Sequence, residues 1–426
     1  MPRKNAKQKN ALQTILKDIL TEILPDEKKV VAEAKQVVNN IQKELQRQQY
    51  KAKVMIGGSV AKGTFLRQDH DIDIFVMFDK KKYANSDLSA MLESTLKKLF
   101  PIVTRIHGSR DYFQVKHIRS YELVPILFIK KTKDAQNITD CSPLHVQWVK
   151  KFPQLKNEIR LFKAFCKAVG VYGAESYIQG FSGHVVDILT IYYKGFVNVL
   201  KASQKWKAPV VLDYYKTHKG KVLQDLNVSK TQGPLILVDP IQPERNAAAA
   251  VGMEKFLLFQ KKAKQFLQQP SKQFFVREIV TKESLKKKAK SRKVVLIEMI
   301  PKQGKVDVVG AQLRKAFEYF RTEMERHSFL VHDAGWQWDK GKNAFCWLIT
   351  DAKGLSDTYE WQGPPLAAKQ HVEAFKAKHG KTFVRKGSIW AIVKRPYTQP
   401  EYLLESLLDS ILIKEKISQG RIEVLS

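Results

Sequence analysis

Gly57-Gly58-Ser59-Val60-Ala61-Lys62-Gly63-Thr64-Phe65-Leu66, and shortly after it Asp71-Ile72-Asp73-Ile74-Phe75-Val76-Met77-Phe78, are the two stretches whose reading decides the fold. The second alternates around its acids and then runs apolar, which predicts a strand with at least one buried face. Residues two apart on a strand point the same way, so Asp71 and Asp73 project from one face about 7 Å apart at Cα. Carboxylates held that close repel each other, and a divalent cation relieves the repulsion. Oxygen ligands of this kind favour Mg²⁺. The Gly57-Gly58 backbone can approach a phosphate closely, with its N–H groups and Ser59 Oγ as donors. A lone Asp-x-Asp is common and a lone Gly-Gly-Ser is usually a turn. Their pairing at this spacing points to transfer of a nucleotidyl group.

Charge agrees with a polyanionic partner. The 426 residues carry 74 Lys and Arg against 42 Asp and Glu, a formal net charge of +32. Such an excess destabilises a compact chain by self-repulsion unless a polyanion balances it, and nucleic acid is the first candidate. A membrane surface is the weaker one, because no basic amphipathic helix or lipidation motif accompanies the charge. Cys141, Cys166 and Cys346 are odd in number and scattered, which argues against a disulfide framework or a zinc ribbon and fits a cytoplasmic protein. The first residues lead into no apolar signal segment, and the apolar runs are only strand-length, so no membrane span is expected.

Apolar spacing from Leu12 to Leu45 predicts two helices broken at Pro25-Asp26. After the acidic strand come a helix over 88–100 and strands over 115–118 and 121–129. Together these predict an α/β catalytic domain over 1–143. Residues 144–267 read as mainly helical (159–169, 181–193 and 252–267) with short strands at 210–212 and 235–238. Residues 261–293 carry twelve Lys and Arg against two Glu, around Pro270, and read as a boundary or a solvated basic face. The third domain, 268–426, is expected to be α+β. Its strands are predicted at 294–300, 306–308, 344–349, 382–385 and 389–393, and its helices at 311–327, 371–379 and 402–413.

At this point the sequence resembles the archaeal-type, class I CCA-adding enzymes, tRNA nucleotidyltransferases of the polymerase β superfamily. The Gly57–Leu66 turn with Asp71-Ile72-Asp73 is similar to the phosphate turn and first acid pair shared by the whole superfamily. Tyr121-Glu122-Leu123-Val124-Pro125 is similar to the strand bearing the third carboxylate. Ser142-Pro143-Leu144-His145, Arg160-Leu161-Phe162-Lys163 and Val171-Tyr172-Gly173-Ala174-Glu175 resemble the triphosphate-binding stretch. Gly180-Phe181-Ser182-Gly183-His184 resembles the start of the following helix. Val238-Asp239-Pro240 with Glu244-Arg245-Asn246 resembles the segment that presents an arginine to the base. The last three segments are specific to class I. The C-terminal third matches mainly in length and in its alternation of elements.

The resemblance implies an α/β + α architecture: a polymerase β-like nucleotidyltransferase domain, a mostly helical central domain, and an α+β body and tail. It implies template-independent addition of C, C and A to tRNA from CTP and ATP. The rival readings are a poly(A)-type or oligoadenylate-type transferase, or an inactive RNA-binding protein. Asp71, Asp73 and Glu122 would ligate two Mg²⁺ ions and carry catalysis. The family normally has Asp where this chain has Glu122, and Asp111 is the substitute to consider. Gly58, Ser59, Lys62, His145, Lys163 and Tyr172 would bind the nucleotide, with Arg245 reading its base and Asp239 orienting Arg245 or its turn. Lys286, Lys287, Lys288, Arg292, Arg385, Lys394 and Arg395 would grip the tRNA acceptor stem and elbow. Phe383 and Trp390 are available for stacking on a nucleotide or for the core, and a homodimer is compatible with the chain.

Overall fold

The computed structural model describes residues 2–69 and 71–425. It divides into two compact units, Met1–Glu278 and Ile279–Ser426.

In the first unit, a five-stranded sheet runs in the order β1-β2-β5-β4-β3. The strands are β1 (Ala52–Ile56), β2 (Asp71–Asp79), β3 (Val103–Ile106), β4 (Tyr112–Lys116) and β5 (Ser120–Phe128). β2 and β5 are parallel, and the other neighbours are antiparallel. Alternation decides which face does what. Ile72, Ile74, Val76 and Phe78 of β2, with Tyr121, Leu123 and Leu127 of β5, are buried against helices Glu27–Arg47 and Leu88–Leu96. Asp71 and Asp73 therefore emerge on the opposite face. Further along that face, Phe75 and Met77 pack with Ile126 and with Val146 of helix Ser142–Val149.

The central part of this unit is helical. Helices Lys156–Ala168, Gly183–Tyr193, Phe196–Ser203 and Met253–Gln268 bury Phe162, Phe165, Phe181, Phe196, Phe259 and Phe266 in one core. The expected short strands β6 (Val210–Leu212) and β7 (Leu235–Leu237) pair in parallel. The first helix packs Ile19 into this central core, and Phe274 and Phe275 lean on the same core from beyond the last helix.

The second unit holds two antiparallel sheets. The first, in the order β14-β8-β10-β9, uses β8 (Lys293–Pro301), β9 (Val331–Trp338), β10 (Ala344–Thr350) and β14 (Ile417–Leu425). Helices Val306–Arg326 and Pro400–Leu408 cover one face, and helix Lys282–Ala289 covers the other through Leu285 and Ala289. The second sheet, β11-β13-β12, uses β11 (Thr358–Pro365), β12 (Thr382–Arg385) and β13 (Ser388–Lys394), with helix Lys369–Lys378 beside it.

Two expectations need correcting here. Val306–Val308 is not a strand but the first turn of helix Val306–Arg326. The three/four spacing of Val309, Leu313, Ala316, Phe317, Phe320 and Met324 overrides the local β-branched run. The final helix ends at Leu408, because Ser410 caps a new short turn at Ile411–Lys414.

Candidate functional site

Parallel pairing of β2 with β5 puts Asp73 directly beside Glu122, and Asp71 beside Ser120. Three carboxylates thus line one sheet face. Gln114 Nε2 on β4 donates to Glu122 Oε1 at 2.9 Å. Asp111 belongs to a different network, accepting from Arg105 Nε at 2.8 Å and lying 3.0 Å from His107 Nδ1. Gly57 donates its N–H to the Asp73 carbonyl at 2.7 Å, which pins the glycine turn onto the acidic strand. Gly58 has φ +51°, and a Cβ there would stand 1.6 Å from Asp73 Oδ2. Only glycine permits so close an approach in this backbone region.

Burial pushes the Asp73 carboxyl up to about 6, and Glu122 and Asp71 add to the shift against partial relief from Lys62 and Lys163. An oxygen-only donor set whose central member suffers like-charge repulsion fits a hard divalent cation. The pH consequence follows in sign. Because the folded value lies above the ordinary 3.8, ionising Asp73 costs the metal-free protein stability as pH rises from about 4 to about 6. Cation binding needs the ionised form and strengthens across the same window. Thermal melting with and without Mg²⁺ should therefore show a larger Mg²⁺-induced rise in Tm at pH 7.5 than at pH 5. In Asp73→Asn this pH dependence should flatten, and an unchanged profile in that variant would contradict the assignment.

The cationic candidates gather nearby, each already tied to an acid. Lys62, ending the short helix Gly58–Lys62, bonds Asp187 Oδ2 at 2.7 Å. Lys163 bonds Asp69 Oδ2 at 2.5 Å, and Lys167 bonds the other oxygen of the same carboxylate. Burial alone would raise Asp69, but the two lysines outweigh it and hold it low. Burial likewise lowers Lys163, with Asp69 opposing. Tyr172 lies beyond the helix, its ring 5.9 Å from Lys163 Nζ and 5.3 Å from Lys167 Nζ. Burial raises its hydroxyl well above the ordinary range.

Asp239 is the hub of a second cluster. Its side chain is 0% exposed. Oδ2 meets His145 Nε2 at 3.0 Å, Arg245 Nη1 at 3.1 Å and His184 Nε2 at 3.3 Å. Oδ1 accepts the Ile241 N–H at 3.0 Å. Burial opposes its charge, yet His145 and His184 hold the carboxyl far below the usual range. Sequence reasoning left out Asp69, Asp187 and His184 as site residues. The only available signal was proximity: Asp69 lies two residues before Asp71, and Asp187 lies one turn after the quoted Gly180–His184 stretch.

In the second unit Lys286, Lys287, Lys288 and Arg292 are exposed at and beyond the end of helix Lys282–Ala289, and Lys288 bonds Asp333 at 2.7 Å. Arg385 lies 4.2 Å from the Trp390 ring centroid and bonds Glu360 at 2.5 Å. Phe383 and Trp390 are cross-strand partners, each half-buried. Lys394 is exposed, and Arg395 stacks 4.7 Å from the Tyr359 ring centroid.

Three family models match in succession. Residues 38–145 match a nucleotidyltransferase domain, 157–276 a tRNA nucleotidyltransferase second domain, and 290–421 a CCA-adding enzyme C-terminal domain. The CCA-adding enzyme of Nanoarchaeum equitans is 34% identical over 352 residues, covering 81% of this chain and 84% of that one. The chain belongs to the CCA-adding enzyme family. Its Methanocaldococcus jannaschii relative of the same name is 28% identical over 423 residues, 94% of this chain and 92% of that one. Among solved structures, the RNA terminal uridylyl transferase Cid1 aligns with a TM-score of 0.51 at 11% identity, over 64% of this chain and 99% of that one. That likeness speaks to the nucleotidyltransferase fold alone. Among the described residues, no helix is long and apolar enough to cross a membrane.

Proposed function

We propose that this chain adds C, C and A to the 3′ end of tRNA, using CTP and ATP and no nucleic-acid template. The observation that carries the reading is the register that sets Asp73 against Glu122 on the sheet face of Asp71, with the Gly57-Gly58 turn bonded to that strand. Asp71, Asp73 and Glu122 would hold two Mg²⁺ ions, which would supply charge stabilisation for the attacking and leaving oxygens. Asp111 is the weaker choice of third acid because Arg105 and His107 already engage it.

The remaining roles belong to this chain's own side chains. The tRNA 3′-hydroxyl attacks the α-phosphorus, and pyrophosphate leaves. The Gly58 amide, Ser59 Oγ, Lys62 and Lys163 receive the triphosphate, and the Asp187 and Asp69 carboxylates keep the two lysines aimed in the meantime. Tyr172 and His145 add donors. Each ammonium has three donors, so Lys62 and Lys163 can bond phosphate oxygens while keeping the buried carboxylates of Asp187 and Asp69 paired. In the second unit, Lys286, Lys287, Lys288, Arg292 and Lys394 hold tRNA phosphates, with Arg385 and Arg395 stacked on Trp390 and Tyr359.

Arg245 reads the base. Its planar fork can donate to acceptors on C and on A, and Asp239 fixes one arm at 3.1 Å. Arg245→Ala should cost on the order of 1–3 kcal/mol of discrimination, about tenfold to a hundredfold. Arg245→Lys should not restore it, since an ammonium lacks the fork. Competition of CTP against UTP on a tRNA lacking its CCA end measures this. Unchanged selectivity in Arg245→Ala would make the arginine a structural partner of Asp239 and nothing more.

A further inference from the structure

We propose that His145, His184 and Asp239 form a separate cation site for a borderline transition metal, of which Zn²⁺ is the type, distinct from the oxygen-only acid cluster. Three separated segments bring the ligands together: helix Ser142–Val149, the start of helix Gly183–Tyr193, and the turn after β7. One candidate ligand atom from each residue lies within 4.8 Å of the other two. The carboxylate oxygen is 3.0 Å from His145 Nε2 and 3.3 Å from His184 Nε2. A tetrahedral Zn²⁺ with N and O ligands at 2.0–2.1 Å needs ligand separations of about 3.4 Å, so only small side-chain adjustments are required. Two imidazoles and one carboxylate make a donor set that Mg²⁺ does not prefer and Zn²⁺ does. It leaves a fourth position for water or a phosphate oxygen.

A second, independent observation is the state of His184. Its side chain is 15% exposed, and its Nε2 stands close to Asp239. That 3.3 Å contact lies off the hydrogen-bonding direction, so Nε2 has only an electrostatic neighbour in Asp239, and Nδ1 is a buried atom with no hydrogen-bond partner among the described residues. A polar ring left unsatisfied inside a protein costs about 1–3 kcal/mol, and such groups call for an explanation. The neighbouring His145 ring packs against it, 4.0 Å away between centroids and tilted by 55°. A metal ion beside Asp239 would take Nε2 of His184 directly.

Arg245 is the competitor. Its guanidinium reaches the same oxygen at 3.1 Å, and its side chain is 36% exposed, so solvent borders it on the outer side. Metal at this site would detach Arg245 from Asp239 and occupy the His145 nitrogen. The site therefore offers an inhibitory contact that acts on nucleotide recognition and leaves the acid cluster untouched.

The test uses the full chain stripped of metal. Zn²⁺ is titrated against a chromophoric chelator in millimolar Mg²⁺, and Co²⁺ is added separately to read visible absorption. The expected result is one tightly held Zn²⁺ per chain that Mg²⁺ does not displace, with the intense bands of tetrahedral Co²⁺. His184→Phe should weaken Zn²⁺ binding about a hundredfold or more, and Asp71→Asn should not change it. If His184→Phe fails to fold by circular dichroism, His184→Gln gives the same reading. Undiminished Zn²⁺ affinity in the His184 variant, loss of affinity in Asp71→Asn, or no tight site in the wild type would each overturn the proposal.

Discussion

Asp71→Asn and Asp73→Asn should each lower incorporation of both CTP and ATP by at least about a thousandfold, or ~4 kcal/mol of transition-state stabilisation. Affinity for tRNA should stay nearly intact, because the basic residues assigned to RNA lie in the other unit. The size of the effect follows from geometry. Asp73 sits between Gly58 and Glu122 on a face that carries three acids. Removing one ligand leaves the cations held by a poorer set and the triphosphate badly placed. Single-turnover incorporation on a tRNA lacking CCA, with filter binding of the same tRNA, separates chemistry from binding. Near-wild-type turnover in either variant would end the assignment. Glu122→Gln should also be severely impaired. An active Glu122→Gln beside a dead Asp111→Asn would move the third carboxylate to Asp111.

Gly58→Ala should be nearly as damaging without touching any charge. The residue has φ +51°, and its Cβ would fall 1.6 Å from Asp73 Oδ2, so either the carboxylate or the turn must move. A left-handed alanine costs roughly 1–2 kcal/mol by itself. A shift of the carboxylate by about 1 Å can cost around a hundredfold in rate. Gly220→Ala is the control, because Gly220 has φ +86° and nothing within 4 Å of its would-be Cβ. The control should lower Tm modestly and leave turnover alone, while Gly58→Ala lowers both. Equal turnover in the two variants would show that the glycine turn does not hold the acid.

The strands that the sequence made legible are mostly those with neighbours on both sides: β2, β5, β8, β10 and β13 all announced themselves by apolar runs. β1, β3, β9, β11 and β14 did not, and each lies at a sheet edge. Edge strands bury less: on β14 the residues from Ser418 to Arg421 are all exposed, so the apolar alternation is diluted. The acid pair was readable because strand periodicity is local. Glu122 was reachable only through resemblance, since the β2–β5 register is a tertiary fact. The partners that hold the lysines were illegible for the same reason: Lys62 and Asp187 are 125 residues apart, and Lys163 and Asp69 are 94 apart. No spacing rule connects them. His184 stood in view within a quoted stretch, but its closeness to Asp239 and its unpartnered Nδ1 appear only once the helix is packed.

Specific addition of CCA is tested most directly by giving the purified chain a tRNA that ends before CCA and sequencing the extended 3′ ends. With CTP alone the chain should add two C residues and stop. With CTP and ATP together it should add C, C and A and then stop, and UTP and GTP should enter poorly. A homopolymeric tail from ATP alone, or firm tRNA binding with no nucleotide added under any condition, would contradict it.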